Sequence, residues 1–300
     1  MKLRRVIASH GLGNQLFQFS FAHYLKESNY KVRFENNPIW SPGLNYSLKK
    51  LEDICPHLDF SVNPTISHTS FLGRLAYRLK VAIPLTNIYM GYGRYMRFIE
   101  SPNQYFMAHA LSIFPNVGKT VYQGFWTHWS YAHSQRNTAI QDIQRYLNDH
   151  VDIGDYLPNT NKNLVVHVRR GDYLERGNDS TFGVITAQSY KDLIKEIKKQ
   201  YSAINVITLT DDFKLSENEL YGDDFGHILP PNLCDQWQAL KLMSQADIVI
   251  SANSTLSWWG AVIASINGGI SYVPKNFYKN LDTKDAFNFP ALLRYNNSHY

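Results

Sequence analysis

The stretch His167-Val168-Arg169-Arg170-Gly171-Asp172-Tyr173-Leu174 packs two guanidiniums, an imidazole and a carboxylate into eight consecutive residues, with a glycine to permit a turn. Adjacent arginines suit a diphosphate, because each planar fork can grip phosphate oxygens in bidentate fashion. A surface salt bridge between Arg170 and Asp172 at the end of a strand accounts for the same charges equally well. Thr210-Asp211-Asp212 and Ser251-Ala252-Asn253-Ser254-Thr255 each follow an apolar stretch, and the second leads into Ser257-Trp258-Trp259-Gly260. Hydroxyls, amides and backbone N–H groups at the start of a helix attract anions. One such turn by itself is also an ordinary helix cap. Three strand ends of this character in one half of the chain read as a nucleotide site.

The elements that must hold these residues follow from periodicity. Asn163-Leu164-Val165-Val166, Asn205-Val206-Ile207-Thr208-Leu209 and Asp247-Ile248-Val249-Ile250 are short apolar runs that predict buried strands. Tyr190, Leu193, Ile194 and Ile197 recur at helical spacing, with Lys191, Lys195, Glu196, Lys198 and Lys199 on the exposed face. A second helix over Asp235–Ala246 turns Trp237, Leu240 and Met243 inward. Strands alternating with helices over Asn163–Asn276 predict a parallel sheet covered on both faces, with right-handed crossovers and a ligand site at the carboxyl ends of the strands. The N-terminal half begins alike: strand Val6-Ile7-Ala8, turn Ser9-His10-Gly11-Leu12-Gly13-Asn14-Gln15, then a helix from about Leu16 to Lys26. No third glycine follows Gly11 and Gly13 in register, since Phe17 and Gln18 stand there, which speaks against a NAD site. The glycines allow close backbone approach; Asn14 and Gln15 either donate to a ligand or cap the helix.

Taken in order, Gly11 to Gln18, His167 to Tyr173, Asp211-Asp212 and Ala252 to Trp259 resemble the bacterial α-1,2-fucosyltransferases of glycosyltransferase family 11, a resemblance running from about Val6 to Pro274. It implies an α/β architecture of GT-B type, two Rossmann-like domains facing across a cleft. The N-terminal, acceptor-binding domain would cover 1–155 and the GDP-sugar-binding domain 160–300, with the extreme C-terminus packing back on the first. The implied reaction is inverting transfer of L-fucose from GDP-L-fucose to O2 of a terminal galactose-type residue, with no metal and no other cofactor. On this reading Arg169 is the main diphosphate contact, Arg170 supports it, and Asn14 lies near the same phosphate. Asn253, Ser254 and Thr255 hydrogen-bond the phosphates, and Asp211 the ribose or guanine. Asp172 and His167 are the candidates for a general base; the alternatives are that Asp172 orients Arg170 and that His167 is a buried strand residue.

The chain contains no Asp-x-Asp triplet, and the adjacent Asp211 and Asp212 point opposite ways on a strand end. Arg169 and Arg170 would then neutralise the leaving diphosphate. The chain departs from the family pattern at Phe19-Ser20, at Thr210 where a serine is usual, at Gly124-Phe125-Trp126-Thr127 and at Pro274-Lys275-Asn276-Phe277. The last two lie outside the donor elements and bear on the acceptor.

A chain of 300 residues, 44% of them hydrophobic, has material for two cores, on a prior of ~150 residues per domain. Gly154, Pro158 and a run of asparagines place the boundary between Val151 and Asn163. Pro38–Gln123 is aromatic-rich and irregular, as expected of an acceptor-binding insert, and the spacing of His109, His128 and His133 fits no metal motif. The net charge of +5 favours an anionic partner: the GDP-sugar, a glycan acceptor on a lipid diphosphate, or a membrane surface. Phe71, Leu72, Leu75 and Leu79 share a helical side edged by Arg74, Arg78 and Lys80, which suits a bilayer interface and suits core packing equally. Cys55 and Cys234 form no metal or redox spacing. Met1-Lys2-Leu3-Arg4-Arg5 runs into the first strand without a signal-peptide core, and no segment is long enough to span a bilayer. The expectation is a cytoplasmic protein, peripheral to the inner membrane face, that builds O-antigen or related surface polysaccharide. Two other classes stand beside it: a transferase for another GDP-sugar or a non-galactose acceptor, and a non-catalytic glycan-binding protein. A diphosphate grip argues against the latter, and the dispersed basic residues argue against nucleic acid.

Overall fold

The computed structural model describes residues 3–36, 53–54, 58–61, 88–92, 95–99, 120–133, 138–158, 161–174, 182–201, 203–212, 224–280, 282–283 and 285–299. The chain divides into two compact units, Met1–Tyr146 with Lys284–Phe287, and Leu147–Thr283 with Asn288–Tyr300. The stretch that rejoins the first unit is thus Lys284–Phe287, while the final residues group with the second. The segment from Phe71 to Lys80, together with Cys55 and His109, lies outside the described residues. Among the described residues no helix is long and apolar enough to cross a membrane.

In the first unit, β1 (Leu3–Ala8), β2 (Lys31–Asn36), β3 (Asp59–Ser61), β4 (Ile88–Tyr92), β5 (Tyr95–Ile99) and β6 (Thr120–Gln123) form one sheet in the order β3-β2-β1-β6-β5-β4. All neighbours are parallel except β4 and β5. Helix α1 (Leu12–Glu27) follows β1, with Gly11 as its N-cap. It starts four residues before the expected Leu16, because the chain turns already at His10, whose φ is 66°, and Gln15, tied to His10 O, holds the first turn despite Gly13. The helix is buried nearly all round. Leu16, Phe17, Phe19, Phe21 and Leu25 supply apolar packing, and the equally buried Gln15 and Gln18 are held by hydrogen bonds to loop backbone. Phe21 stacks on Trp126 with ring centroids 4.2 Å apart. The buried Arg5 on β1 pairs with Glu35 on β2 through two hydrogen bonds, Nε to Oε1 at 2.6 Å and Nη2 to Oε2, which is the pairing a buried charge requires. After β6 come the single turn α2 (Trp129–Ala132) and α3 (Ala139–His150).

The second unit holds β7 (Lys162–Val168), β8 (Ile204–Thr210), β9 (His227–Leu229), β10 (Ile248–Ile250), β11 (Ile270–Pro274) and β12 (Leu293–Tyr295), all parallel, in the order β12-β11-β10-β7-β8-β9. Counted from β7 this is the strand order of dinucleotide-binding folds. β7 is buried from Asn163 through Val168, the continuous burial of a central parallel strand. Helix α4 (Ala187–Gln200) buries Tyr190, Ile194 and Ile197, the face its periodicity predicts. Helix α5 (Gln236–Gln245) opens with a reciprocal cap: Asp235 accepts from the N–H groups of Trp237 and Gln238, and the Gln238 side chain accepts from Asp235 N–H. Helix α6 (Thr255–Ile266) is buried over most of its circumference. It crosses α5 so closely that a Cβ at Gly260 would lie 2.5 Å from Met243 Cβ. Tyr295 of β12 enters the core and donates from its hydroxyl to Ser251 O at 2.9 Å.

Candidate functional site

The winding of the second sheet reverses between β7 and β10, which are neighbours in register from Ile248↔Leu164 to Ile250↔Val166. A crevice outside the carboxyl ends of such a pair is where open α/β sheets bind ligands. Beyond β7 the chain carries Arg169 and Arg170 and enters a 3₁₀ turn, Gly171–Leu174. Beyond β8 it carries Asp211, and beyond β10 the run Ser251–Ser254 that leads into α6.

Arg169 is held from two sides. Its Nη1 lies 2.8 Å from Asp211 Oδ2 and its Nη2 donates to Asp172 Oδ1 at 2.5 Å. The guanidinium also lies over the Tyr173 ring, 5.2 Å from the centroid. Burial alone would lower its pKa; Asp211 and Asp172 outweigh that and raise it, so the cation is fixed. The two carboxylates differ. Asp211 is 22% exposed and its other oxygen accepts from Arg170 N–H at 2.7 Å, whereas Asp172 is 52% exposed. Asp211 is therefore a rigid mount, and Asp172 a contact that an incoming anion can replace.

This geometry corrects several expectations. Gly171 does not serve the turn through a left-handed backbone; among the described glycines that conformation belongs to Gly154, Gly183, Gly226 and Gly268. It is glycine because a Cβ there would fall 2.3 Å from Asp211 Oδ2. Arg170 is not a second exposed fork: it is fully buried, and its Nη1 donates to Arg169 O at 3.0 Å. Asp172 pairs with Arg169, the neighbour of the arginine the sequence suggested. Asp211 has both oxygens engaged by the arginine pair. His167 is a buried strand residue at 5% exposure. Burial first, and Arg169 second, push its pKa down to about 3, so the ring is neutral and a weak base.

Asn253 is also committed to the protein. Its Nδ2 donates to Phe182 O and Gly183 O at 3.1 and 3.0 Å, so its side chain would turn to a phosphate only a carbonyl oxygen, which repels it. Its own backbone oxygen accepts from the Tyr173 hydroxyl at 2.8 Å, joining the β7 and β10 ends. Ser254, the N-cap of α6, makes no side-chain capping bond, and Thr255 follows as the first helical residue. Their hydroxyls and the start of α6 stay suited to an anion. Asn14 belongs to the first unit, half-buried in the first turn of α1. Sequence reasoning passed over Tyr173 and Phe182, whose rings stack 5.2 Å apart. A tyrosine directly after the Arg-Arg-Gly-Asp run was the available signal.

Two Rossmann-like α/β units, one with a fixed guanidinium and a helix start at its switch point, define an α/β protein of GT-B type. A solved structure, the glycosyl transferase family 9 protein from Veillonella parvula DSM 2008, matches this fold over 98% of this chain and 87% of its own, with a TM-score of 0.50 at 10% identity. The chain itself belongs to glycosyltransferase family 11: the model described as Glycosyl transferase family 11 matches residues 5–289. It is similar to an Escherichia coli alpha-1,2-colitosyltransferase, 29% identical over 172 residues that cover 54% of this chain and 57% of the relative. It is also similar to the Escherichia coli O-antigen biosynthesis glycosyltransferase WbnK, 31% identical over 116 residues, 38% of each chain. The chain thus spans 57% and 38% of the length of these curated relatives.

Proposed function

We propose that this protein is an inverting α-1,2-fucosyltransferase that moves L-fucose from GDP-L-fucose to O2 of a terminal galactose-type residue in O-antigen or related polysaccharide assembly. The observation that carries the reading is Arg169, a cation mounted on Asp211 at the switch point of a nucleotide-fold sheet. As the acceptor oxygen bonds to the anomeric carbon, the bond from that carbon to the β-phosphate oxygen breaks and GDP leaves. Arg169 meets the charge that develops on the leaving oxygen, taking the diphosphate in place of Asp172. Ser254 and Thr255 donate to the same phosphates. With Arg169 supplying the neutralisation and Asp211 bound to it, the transfer requires no metal ion. Asp172, once displaced from Arg169, is the carboxylate that would accept the acceptor's proton. The excess of positive charge, +5 overall, agrees with an acceptor carried on a lipid diphosphate at the cytoplasmic membrane face.

A second reading keeps the reaction and changes the sugar. The relative named for α-1,2-colitosyl transfer favours a donor that carries colitose, which is fucose without the hydroxyl at C3. GDP release measured in EDTA, with GDP-L-fucose and GDP-colitose against a panel of β-galactosides, separates the two. Acceptor-dependent release with GDP-L-fucose and an α-1,2 product by NMR is the expected result. Turnover with GDP-colitose alone replaces the donor, and loss of all turnover in EDTA with recovery on Mg²⁺ overturns the metal-free step.

A further inference from the structure

The first sheet also reverses its winding, between β1 and β6. Two non-glycine residues in left-handed backbone stand directly beyond these strand ends: His10 after β1, φ 66°, and Trp126 after β6, φ 53°. Left-handed backbone at bulky residues costs energy and persists only where the surroundings impose it. Here they do. Trp126 is fully buried and stacked on Phe21. His10 O accepts from Gln15 Nε2 at 2.7 Å, and His10 Nδ1 lies 2.9 Å from Ser9 Oγ. Gln18 ties the two strand ends together, accepting from Ser9 N–H and donating to Gly124 O, both at 2.8 Å. The result of this strapping is one presented pair: the exposed His10 ring lies against Phe125, centroids 4.7 Å apart. Beside them a Cβ built on Gly11 meets nothing within 4 Å.

We infer that the His10–Phe125 pair is a carbohydrate-binding site for a neutral hexose, in which Phe125 stacks on the apolar face of the sugar ring and His10 hydrogen-bonds a ring hydroxyl. The pair offers a diphosphate no cation, since residues 9–11 and 124–128 contain no lysine or arginine. An aromatic face with a few fixed polar groups is the makeup of a site for a neutral, partly apolar ligand. Partial burial lowers the pKa of His10, which favours the neutral imidazole; with Nδ1 2.9 Å from Ser9 Oγ, the nitrogen that would meet the sugar hydroxyl is Nε2. That the hexose is the acceptor rests on the transferase reading; that a hexose binds here does not.

The test is saturation-transfer NMR on the full chain without donor, using methyl β-D-galactopyranoside and lactose as probes. His10→Gly removes the imidazole and at the same time relieves the left-handed strain, so this variant keeps or raises Tm. Phe125→Ala removes the platform. The expected result is transfer to galactoside ring protons in the natural protein, reduced at least fivefold in both variants. Undiminished transfer in a folded His10→Gly protein, or no transfer to either probe in the natural protein, overturns the site. Turnover assays read the other claim separately. Where turnover exists, His10→Gly raises the acceptor KM at least tenfold and leaves the donor KM within twofold. Where none exists but the NMR contrast holds, the transferase reading fails and the sugar site stands.

Discussion

Both sheets reverse their winding at a single point, β1 beside β6 in one and β7 beside β10 in the other, yet the residues mounted there differ in kind. At the second sheet the presented group is a guanidinium, and two carboxylates hold it. At the first sheet it is an imidazole against a phenyl ring, and two glutamine amides hold the loop beneath. A charge needs countercharge to stay buried and oriented, and Arg169 accordingly carries two carboxylates, of which the proposed donor grip would displace the more exposed Asp172. A neutral site needs only fixed dipoles. The same fold position thus presents a charged group in one sheet and an uncharged pair in the other, which is the contrast the two proposals rest on.

That contrast breaks first at Arg169. Arg169→Ala should lower kcat/KM by about 10²–10³ with the fold intact by circular dichroism, the range for losing a group that stabilises leaving charge. Arg169→Lys should not restore it, because a point charge cannot reproduce the fork that spans Asp172 and Asp211. A mild effect of the alanine change would move the diphosphate grip elsewhere. The counterpart at the first sheet is Gln18→Leu, which leaves Ser9 N–H and Gly124 O without their partner. It should cost about 2–4 kcal/mol in urea unfolding, from buried polar groups left unmatched. Gly171→Ala should cost less, about 1–3 kcal/mol for forced overpacking, and should lower kcat by about tenfold. Its Cβ must push Asp211 off Arg169. If activity survives while stability falls, Asp211 is only a structural carboxylate.

Much of this was legible in the sequence, for identifiable reasons. Strands β7, β8 and β10 and helices α4 and α5 announce themselves because burial there is periodic or continuous, and the Asn163–Val168 run has no other solution than a central strand. The start of α1 was misjudged because Gly11, Gly13, Asn14 and Gln15 read as a turn, and only the loop carbonyl that Gln15 meets reveals its use. In the proposed donor site the residue types were readable and their partners were not. Arg170 and Asp172 look paired in sequence, whereas the 3₁₀ turn sends Asp172 to Arg169 and buries Arg170. Gly171 illustrates the limit best, since the atom that requires it belongs to Asp211, on another strand end.

His167 sharpens the comparison at the smallest scale, because it is the neutral imidazole of the charged site as His10 is of the uncharged one. Buried on β7, its folded pKa lies near 3, against 6.5 for an open chain. Between those values the unfolded chain binds a proton that the folded protein does not, so stability is complete above pH 6.5 and declines as pH falls toward 3. The limiting slope is about 1.4 kcal/mol per pH unit for one such group. Carboxylates titrate in the lower part of that window, so the useful quantity is a difference between proteins. Urea unfolding of the natural protein and of His167→Asn at pH 7.0 and 5.5 should show the natural protein losing about 1 kcal/mol more than the variant over that interval. His10, being exposed at the strand end, should give a smaller difference in the same experiment with His10→Gly. Equal pH dependence of the natural protein and His167→Asn would mean that His167 reaches water on the folded protein. That would return it to the list of groups able to accept the acceptor's proton.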